Sequence, residues 1–194
     1  FEWYEKAASQ GFADAQYNLG NMYYYGEGVE KDSKKAFEWY EKAASQGFAD
    51  AQYKLGFMYY DGEGVEKNSK KAFEWYEKAA SQGFAKAQYN LGVMYDKGEG
   101  VEKDSKKAIE WYEKAASQGL AIAQFSLGLM YDKGEGVKKD IKKAFEWYEK
   151  AASQGLAEAQ FSLGFMYYDR IGVKKDIKKA IECFEKAASQ GFAD

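Results

Sequence analysis

The residues able to do chemistry recur in blocks. A typical block holds a Gly-x-Gly turn (Gly26-Glu27-Gly28), turn carboxylates (Glu27, Asp32), a Lys34-Lys35 pair and paired helix carboxylates (Glu38, Glu41). A glycine-rich turn can cradle phosphate, but a phosphate loop ends in Gly-Lys-Ser/Thr and follows a strand, and this turn does neither. Turn carboxylates can hold Ca²⁺, yet the spacing departs from the Asp-x-Asp-x-Asp-Gly loop, and helix capping explains Asp32. Glu38 and Glu41 fall on an exposed helix face among lysines, without the cleft that glycoside hydrolysis needs. The Lys34-Lys35 pair is too short for a nucleic-acid patch and acidic residues surround it. Cys183, the single cysteine, has only ordinary lysines nearby in sequence, so no activated thiol is expected. No histidine occurs in the 194 residues, which removes His-dependent chemistry from this chain. The expectation is no catalysis, no cofactor and no metal.

Composition sets the class. Hydrophobic residues make up 46% and charged residues 30%, as in a soluble folded protein. The net charge of −3 argues against a nucleic-acid or membrane electrostatic footprint. No apolar run reaches the roughly 18 residues of a membrane-spanning helix. One cysteine permits no intrachain disulfide. That fits a reducing compartment but leaves bacterial cytoplasm and a secreted or periplasmic location both open.

What must position these residues is a repeat. Trp3, Trp39, Trp75, Trp111 and Trp147 recur every 36 residues, and Gly11, Gly47, Gly83, Gly119, Gly155 and Gly191 keep the same period. The spacing predicts a partial repeat at 1–12, full repeats at 13–48, 49–84, 85–120, 121–156 and 157–192, and the start of another at 193–194. Each repeat reads as two helices, A and B. Over 13–25, Ala15, Leu19, Met22 and Tyr23 form one apolar stripe at helical spacing. The turn "GEGVEKD" follows, with Asp32 as the N-cap of helix B; Asn68, Asp104, Asp140 and Asp176 can cap in the same way. Helix B, about 33–46, buries Ala36, Phe37, Tyr40, Ala43 and Ala44, with Glu38 and Lys42 as an exposed i, i+4 pair. Gly47 then supplies a left-handed stop. Small residues such as Gly20 and Ala43 allow close approach, and Tyr23, Phe37, Trp39 and Tyr40 are expected to fill the spaces between repeats. Short connections make neighbouring helices antiparallel and stack the repeats into an all-α solenoid.

The stretch from Ala13 through "ADAQYNLGNMYYYGEGVEKDSKKAFEWYEKAASQG" resembles the Sel-one-like repeat, a relative of the tetratricopeptide repeat. The 36-residue unit, the Gly-x-Gly-Val turn and the absence of proline favour the former over the 34-residue tetratricopeptide repeat. The resemblance implies a right-handed α/α superhelix with A helices on the concave side. It also implies a non-catalytic scaffold or adaptor for protein or peptide partners. Relatives with a cysteine pair in each repeat form a subtype this chain does not match. The partner is not implied, since fold and function are separable.

Comparing the copies with one another shows where they differ. Four helix-A columns vary most: Asp14, Asp50, Lys86, Ile122, Glu158; Asn18, Lys54, Asn90, Ser126, Ser162; Asn21, Phe57, Val93, Leu129, Phe165; and Tyr25, Asp61, Lys97, Lys133, Asp169. They share one helix face, which in the resembled fold points into the concave groove. Residues 50, 54, 57, 61, 86, 90, 93, 97, 122, 126, 129, 133, 158, 162 and 165 are the candidate partner-binding groove. Phe57, Val93, Leu129 and Phe165 would form an apolar strip for an extended peptide or partner helix. Packing of that column against the neighbouring A helix is the other reading. The turn column Glu30, Glu66, Glu102 becomes Lys138 and Lys174, either a steering device for an acidic partner or a solvated edge. Arg170 stands where other repeats have Gly26, Gly62, Gly98 and Gly134, a costly replacement if that position needs φ > 0.

The leading reading is a protein-interaction scaffold binding through the helix-A face. Self-assembly through open solenoid ends, and a regulatory repeat segment of a larger enzyme, are the alternatives. No nucleic-acid binding and no membrane insertion are expected.

Overall fold

A computed structural model describes residues 2–192 of the chain. Phe1 and the expected repeat start at 193–194 lie outside them. Among the described residues there are eleven α-helices and no strands. They are α1 (Glu2–Ser9), α2 (Ala13–Tyr25), α3 (Ser33–Ser45), α4 (Ala49–Asp61), α5 (Ser69–Ser81), α6 (Ala85–Lys97), α7 (Ser105–Ser117), α8 (Ala121–Lys133), α9 (Ile141–Ser153), α10 (Ala157–Asp169) and α11 (Ile177–Ala188). The helices form two compact units, Phe1–Lys103 and Asp104–Asp194. Even-numbered helices are the A helices; those from α3 onward with odd numbers are the B helices.

The turn chemistry sets the helix ends. Asp32 takes an extended conformation, and its carboxylate accepts from the backbone N–H groups of Lys34 and Lys35 at 3.1 and 3.0 Å. These bonds, led by the one from Lys35, hold the Asp32 carboxyl below its usual range. Asn68 caps α5 through Lys71 N–H. At the other end of α3, Gly47 has φ +89°, which lets the Phe48 N–H reach back to the Ala43 carbonyl at 3.3 Å.

Hydrogen bonds fix how α2 and α3 run. The Asp32 N–H meets the Tyr23 carbonyl at 2.8 Å, the Tyr40 hydroxyl donates to Asn21 Oδ1 at 2.8 Å, and Gln46 Nε2 donates to Gln16 Oε1 at 2.7 Å. Rising numbers on one helix meet falling numbers on the other, so the pair is antiparallel. Tyr40 is fully buried and lies against Gly20, where an added Cβ would sit 2.7 Å from its ring. The same lock joins Tyr76 to Gly56, and in the second unit Tyr148 to Gly128. Around these rings the core holds Leu19, Ala36, Ala43, Leu55 and Met58.

A second seam joins each B helix to the next A helix. Gln52 is buried, and its Nε2 donates to the Ala44 carbonyl at 3.2 Å while its Oε1 accepts from Gln82 at 2.8 Å. Gln16, Gln124 and Gln160 repeat the bond to the preceding B helix. Phe37 packs edge-on to Tyr59 across the same seam, ring centroids 5.4 Å apart.

Two details differ from the sequence expectation. Lys42 does not reach for Glu38; its Nζ lies 3.8 Å from the Trp39 ring centroid, and Lys78, Lys114 and Lys150 repeat this on Trp75, Trp111 and Trp147. A flat, negative ring face three residues back offers the ammonium a broader target than a mobile carboxylate. These four tryptophans are therefore half-buried under a lysine rather than sealed between repeats, and Trp39 and Trp75 rest their other side on the core.

Arg170 is the sole non-glycine residue with positive φ among those described, at +62°. It occupies the left-handed cap of α10 that glycine supplies elsewhere. An L side chain there costs about 1–2 kcal/mol, partly offset by the greater freedom of glycine when unfolded. Arg170→Gly is expected to stabilise the chain by about 0.5–1 kcal/mol, seen as a rise in the thermal midpoint. A lower midpoint would show that Arg170 makes a compensating contact.

Candidate functional site

The structure gathers several of the variable residues into one cleft within the first unit. Tyr53, Phe57, Tyr60 and Asp61 from α4, Tyr76 from α5, and Tyr89, Asn90, Val93 and Met94 from α6 line a cavity of about 260 Å³. Tyr76 and Met94 are buried and close its inner side. Phe57, Val93 and Asn90 are half-buried, and Asp61 is exposed. The Asn90 side chain lies beside the Tyr53 and Tyr76 hydroxyls at the inner end of the cleft. Desolvation by burial pushes both tyrosine hydroxyls up, which keeps them neutral hydrogen-bonding groups at ordinary pH.

The rim is held from the next turn. The Tyr60 hydroxyl donates to Glu99, and that bond, more than burial, pushes its pKa up to about 12. One repeat earlier, the Tyr24 hydroxyl donates to Glu63 at 2.6 Å. Glu63 also accepts from Ser33 Oγ at 3.0 Å and pairs with Lys31 at 3.1 Å. Glu63 and Glu99, each from a Gly-Glu-Gly turn, thus clasp the previous repeat and orient a helix-A tyrosine. Four turns keep this residue as Glu27, Glu63, Glu99 and Glu135, whereas the column of Glu30, Glu66 and Glu102 already changes to Lys138 in the fourth, a signal the sequence carries.

The clasp responds to acid. The Tyr24 hydroxyl, with smaller help from Lys31 and Ser33, holds the Glu63 carboxyl below its usual range. A depressed folded pKa stabilises fully above the unfolded value of about 4.3 and is lost as pH falls through the folded value. Glu63→Gln is expected to cost about 1 kcal/mol at pH 7. The difference in thermal midpoint from the parent should shrink as pH drops from 7 to 3. A difference independent of pH would mean the charge is not used.

The remaining groove candidates are placed as follows. Lys54 is half-buried; its Nζ donates to Tyr25 Oη at 2.9 Å and lies 5.1 Å from both the Tyr24 and Tyr25 ring centroids. Asp50 is half-buried, whereas Lys86 and Lys97 are exposed. In the second unit Leu129 packs on the core around Tyr148, and Ser162 Oγ donates to the Glu158 carbonyl at 2.9 Å. Phe165 is 43% exposed and meets Phe161 and Phe184 edge-on. Ile122 and Ser126 are half-buried and Lys133 is exposed. Lys138, Lys139, Lys142 and Lys143 line an open recess beside the Asp140 cap.

Nothing in the cleft forms a nucleophile–base pair. Among the described residues no group of His, Cys, Asp or Glu could hold a metal ion, and no helix is long and apolar enough to cross a membrane. Burial pushes the Cys183 thiol up, away from the reactive thiolate.

The family model of the Sel1 repeat matches residues 1–12, 13–48, 49–84, 85–120, 121–156 and 157–192. The chain belongs to the Sel1 repeat family. Sel1 repeats generally serve as non-catalytic protein-interaction scaffolds. A protective antigen of uropathogenic Escherichia coli with the same fold is 40% identical at a TM-score of 0.95, over 98% of this chain and 41% of that one. A Sel1 repeat protein of Oxalobacter formigenes is 41% identical at a TM-score of 0.88, over 94% of this chain and 75% of that one. An immunity protein of Pseudomonas aeruginosa is 30% identical at a TM-score of 0.62, over 97% of this chain and 72% of that one. In sequence, a Sel1-like repeat-containing protein of Schizosaccharomyces pombe is 51% identical over 37 residues, which span 19% of this chain and 6% of that relative.

Proposed function

We propose that this Sel1 repeat chain is a non-catalytic scaffold that binds a peptide or protein segment through its helix-A face, anchored at the α4–α6 cleft. The observation that supports this is the cleft itself. Phe57, Asp61, Asn90 and Val93 belong to columns that vary between repeats, and they converge on an open cavity backed by the Tyr76–Gly56 pair that recurs as Tyr40–Gly20 and Tyr148–Gly128. A constant frame with variable lining is the arrangement a binding array needs, because specificity changes without loss of the stack. Phe57 and Val93 supply an apolar anchor, and Asp61 and Asn90 the polar selection. Exposed Lys86 and Lys97 flank the same face.

Selection of random-sequence peptides on the immobilised chain tests this reading. The selected peptides should bind Phe57→Ala and Val93→Glu at least tenfold more weakly, about 1.4 kcal/mol or more, while circular dichroism shows both variants folded. Unchanged affinity in folded variants would move the binding face elsewhere.

A further inference from the structure

Two successive clefts share one frame and differ in what fills them. At the first, Lys54 from α4 lays its ammonium against the Tyr24 and Tyr25 rings of α2, 5.1 Å from each centroid, and donates to Tyr25 Oη. Aromatic faces are negative, so the two rings form a cation seat that the chain occupies itself. One repeat later, Tyr60 stands for Tyr24, Asp61 for Tyr25, and Asn90 for Lys54. The replacement of tyrosine by aspartate adds a full negative charge to the seat. The replacement of lysine by asparagine withdraws the built-in cation, since the shorter Asn90 side chain lines the cleft and carries no charge. What remains is the cavity of about 260 Å³, lined by no lysine or arginine, with Asp61 as its one charged group. The nearby ionic residues sit at its borders: Lys67 with Nζ 5.5 Å from the Tyr60 ring centroid, Lys97 exposed at the end of α6, and Glu99 holding the Tyr60 hydroxyl.

We propose that the α4–α6 cleft receives a lysine or arginine side chain of a protein partner, in the place that Lys54 fills from within one repeat earlier. The inference rests on the binding reading above and names its ligand chemistry. The apolar stem of the basic residue lies along Phe57 and Val93, and its cationic head reaches Tyr60 and Asp61. Burying a long stem while presenting the charge to a carboxylate suits both of these side chains.

The test is an NMR titration of the whole ¹⁵N-labelled chain with capped heptapeptides that differ only in their central residue: lysine, arginine, norleucine or glutamate. Lysine and arginine peptides are expected to shift the Tyr60, Asp61, Asn90 and Val93 amides saturably, with Kd at least fivefold below that of the norleucine peptide. Asp61→Asn, a change at an exposed position, should erase most of that preference. Asn90→Lys, which restores the internal cation, should abolish binding; if it unfolds the chain, Asp61→Asn decides alone. Equal binding of norleucine and lysine peptides, or an unchanged preference in Asp61→Asn, overturns the cationic assignment and leaves the binding face standing. Stronger binding of the glutamate peptide overturns it too. No saturable shift on α4 or α6 with any peptide overturns both.

Discussion

Replacing Gly64 by alanine is expected to destabilise the chain by about 3 kcal/mol or more, whereas the same change at Gly28 should cost about 1–2 kcal/mol. Both residues are the second glycine of the Gly-Glu-Gly turn and have nearly the same backbone, φ +74° and +73°. An alanine at either site pays for a left-handed conformation. The surroundings differ. A Cβ on Gly28 meets only Met22 Cε at 3.4 Å, a flexible end that can move aside. A Cβ on Gly64 runs into the Ser33 carbonyl, main chain at the start of the preceding B helix. Main chain within a capped helix start cannot yield without opening the seam, and the Glu63 bonds to Tyr24, Ser33 and Lys31 cross that same seam. The excess cost at Gly64 therefore measures repeat-to-repeat contact. Chemical denaturation of the two variants checks it; equal losses would show that the turn carries no inter-repeat contact of consequence.

Tyr76→Ala should cost about 3–5 kcal/mol, as for other aromatic truncations in a core. The ring is 2% exposed, packs against Gly56, and lines the cleft beside Asn90. Removing it leaves a void between α4 and α5 and frees the inner end of the cleft. A coupled change sharpens the prediction. Gly56→Ala alone puts a Cβ 2.5 Å from the Tyr76 ring and should destabilise by about 1–3 kcal/mol. In the Tyr76→Ala background that clash is gone, and alanine's better helix propensity, about 1 kcal/mol, should make the same change stabilising. Additive losses in the double variant would mean that Gly56 is required for something other than this ring. Because stability in repeat arrays is largely a sum over neighbours, the loss should register first in the first unit.

The parts of the fold readable from sequence were those with local causes. The 36-residue period, the Asp32 and Asn68 caps, the Gly47 stop and the burial of Tyr40 all follow from residue type at fixed spacing. The seams were less legible. Gln52 carries no apolar signal, yet it joins two B helices through one side chain. Glu63 reads as an exposed turn carboxylate until the next repeat is stacked against Tyr24. Lys42 has two partners at helical spacing, and pattern alone gave it Glu38 where the ring of Trp39 prevails. For the candidate site, comparison of copies pointed to the face that carries Phe57, Asp61, Asn90 and Val93. It places Tyr40, and so its counterpart Tyr76, in the core and gives Tyr53 and Tyr89 no role, although all three of Tyr53, Tyr76 and Tyr89 line the cleft. Periodicity places a large ring on a face and does not say which of its edges stays open.

Mapping a selected peptide onto the chain by backbone amide shifts tests the central claim most directly. The account predicts the largest shifts at Phe57, Tyr60 and Asp61 on α4 and at Asn90 and Val93 on α6. Shifts confined to the outer, lysine-rich faces of α3 and α5 would contradict it.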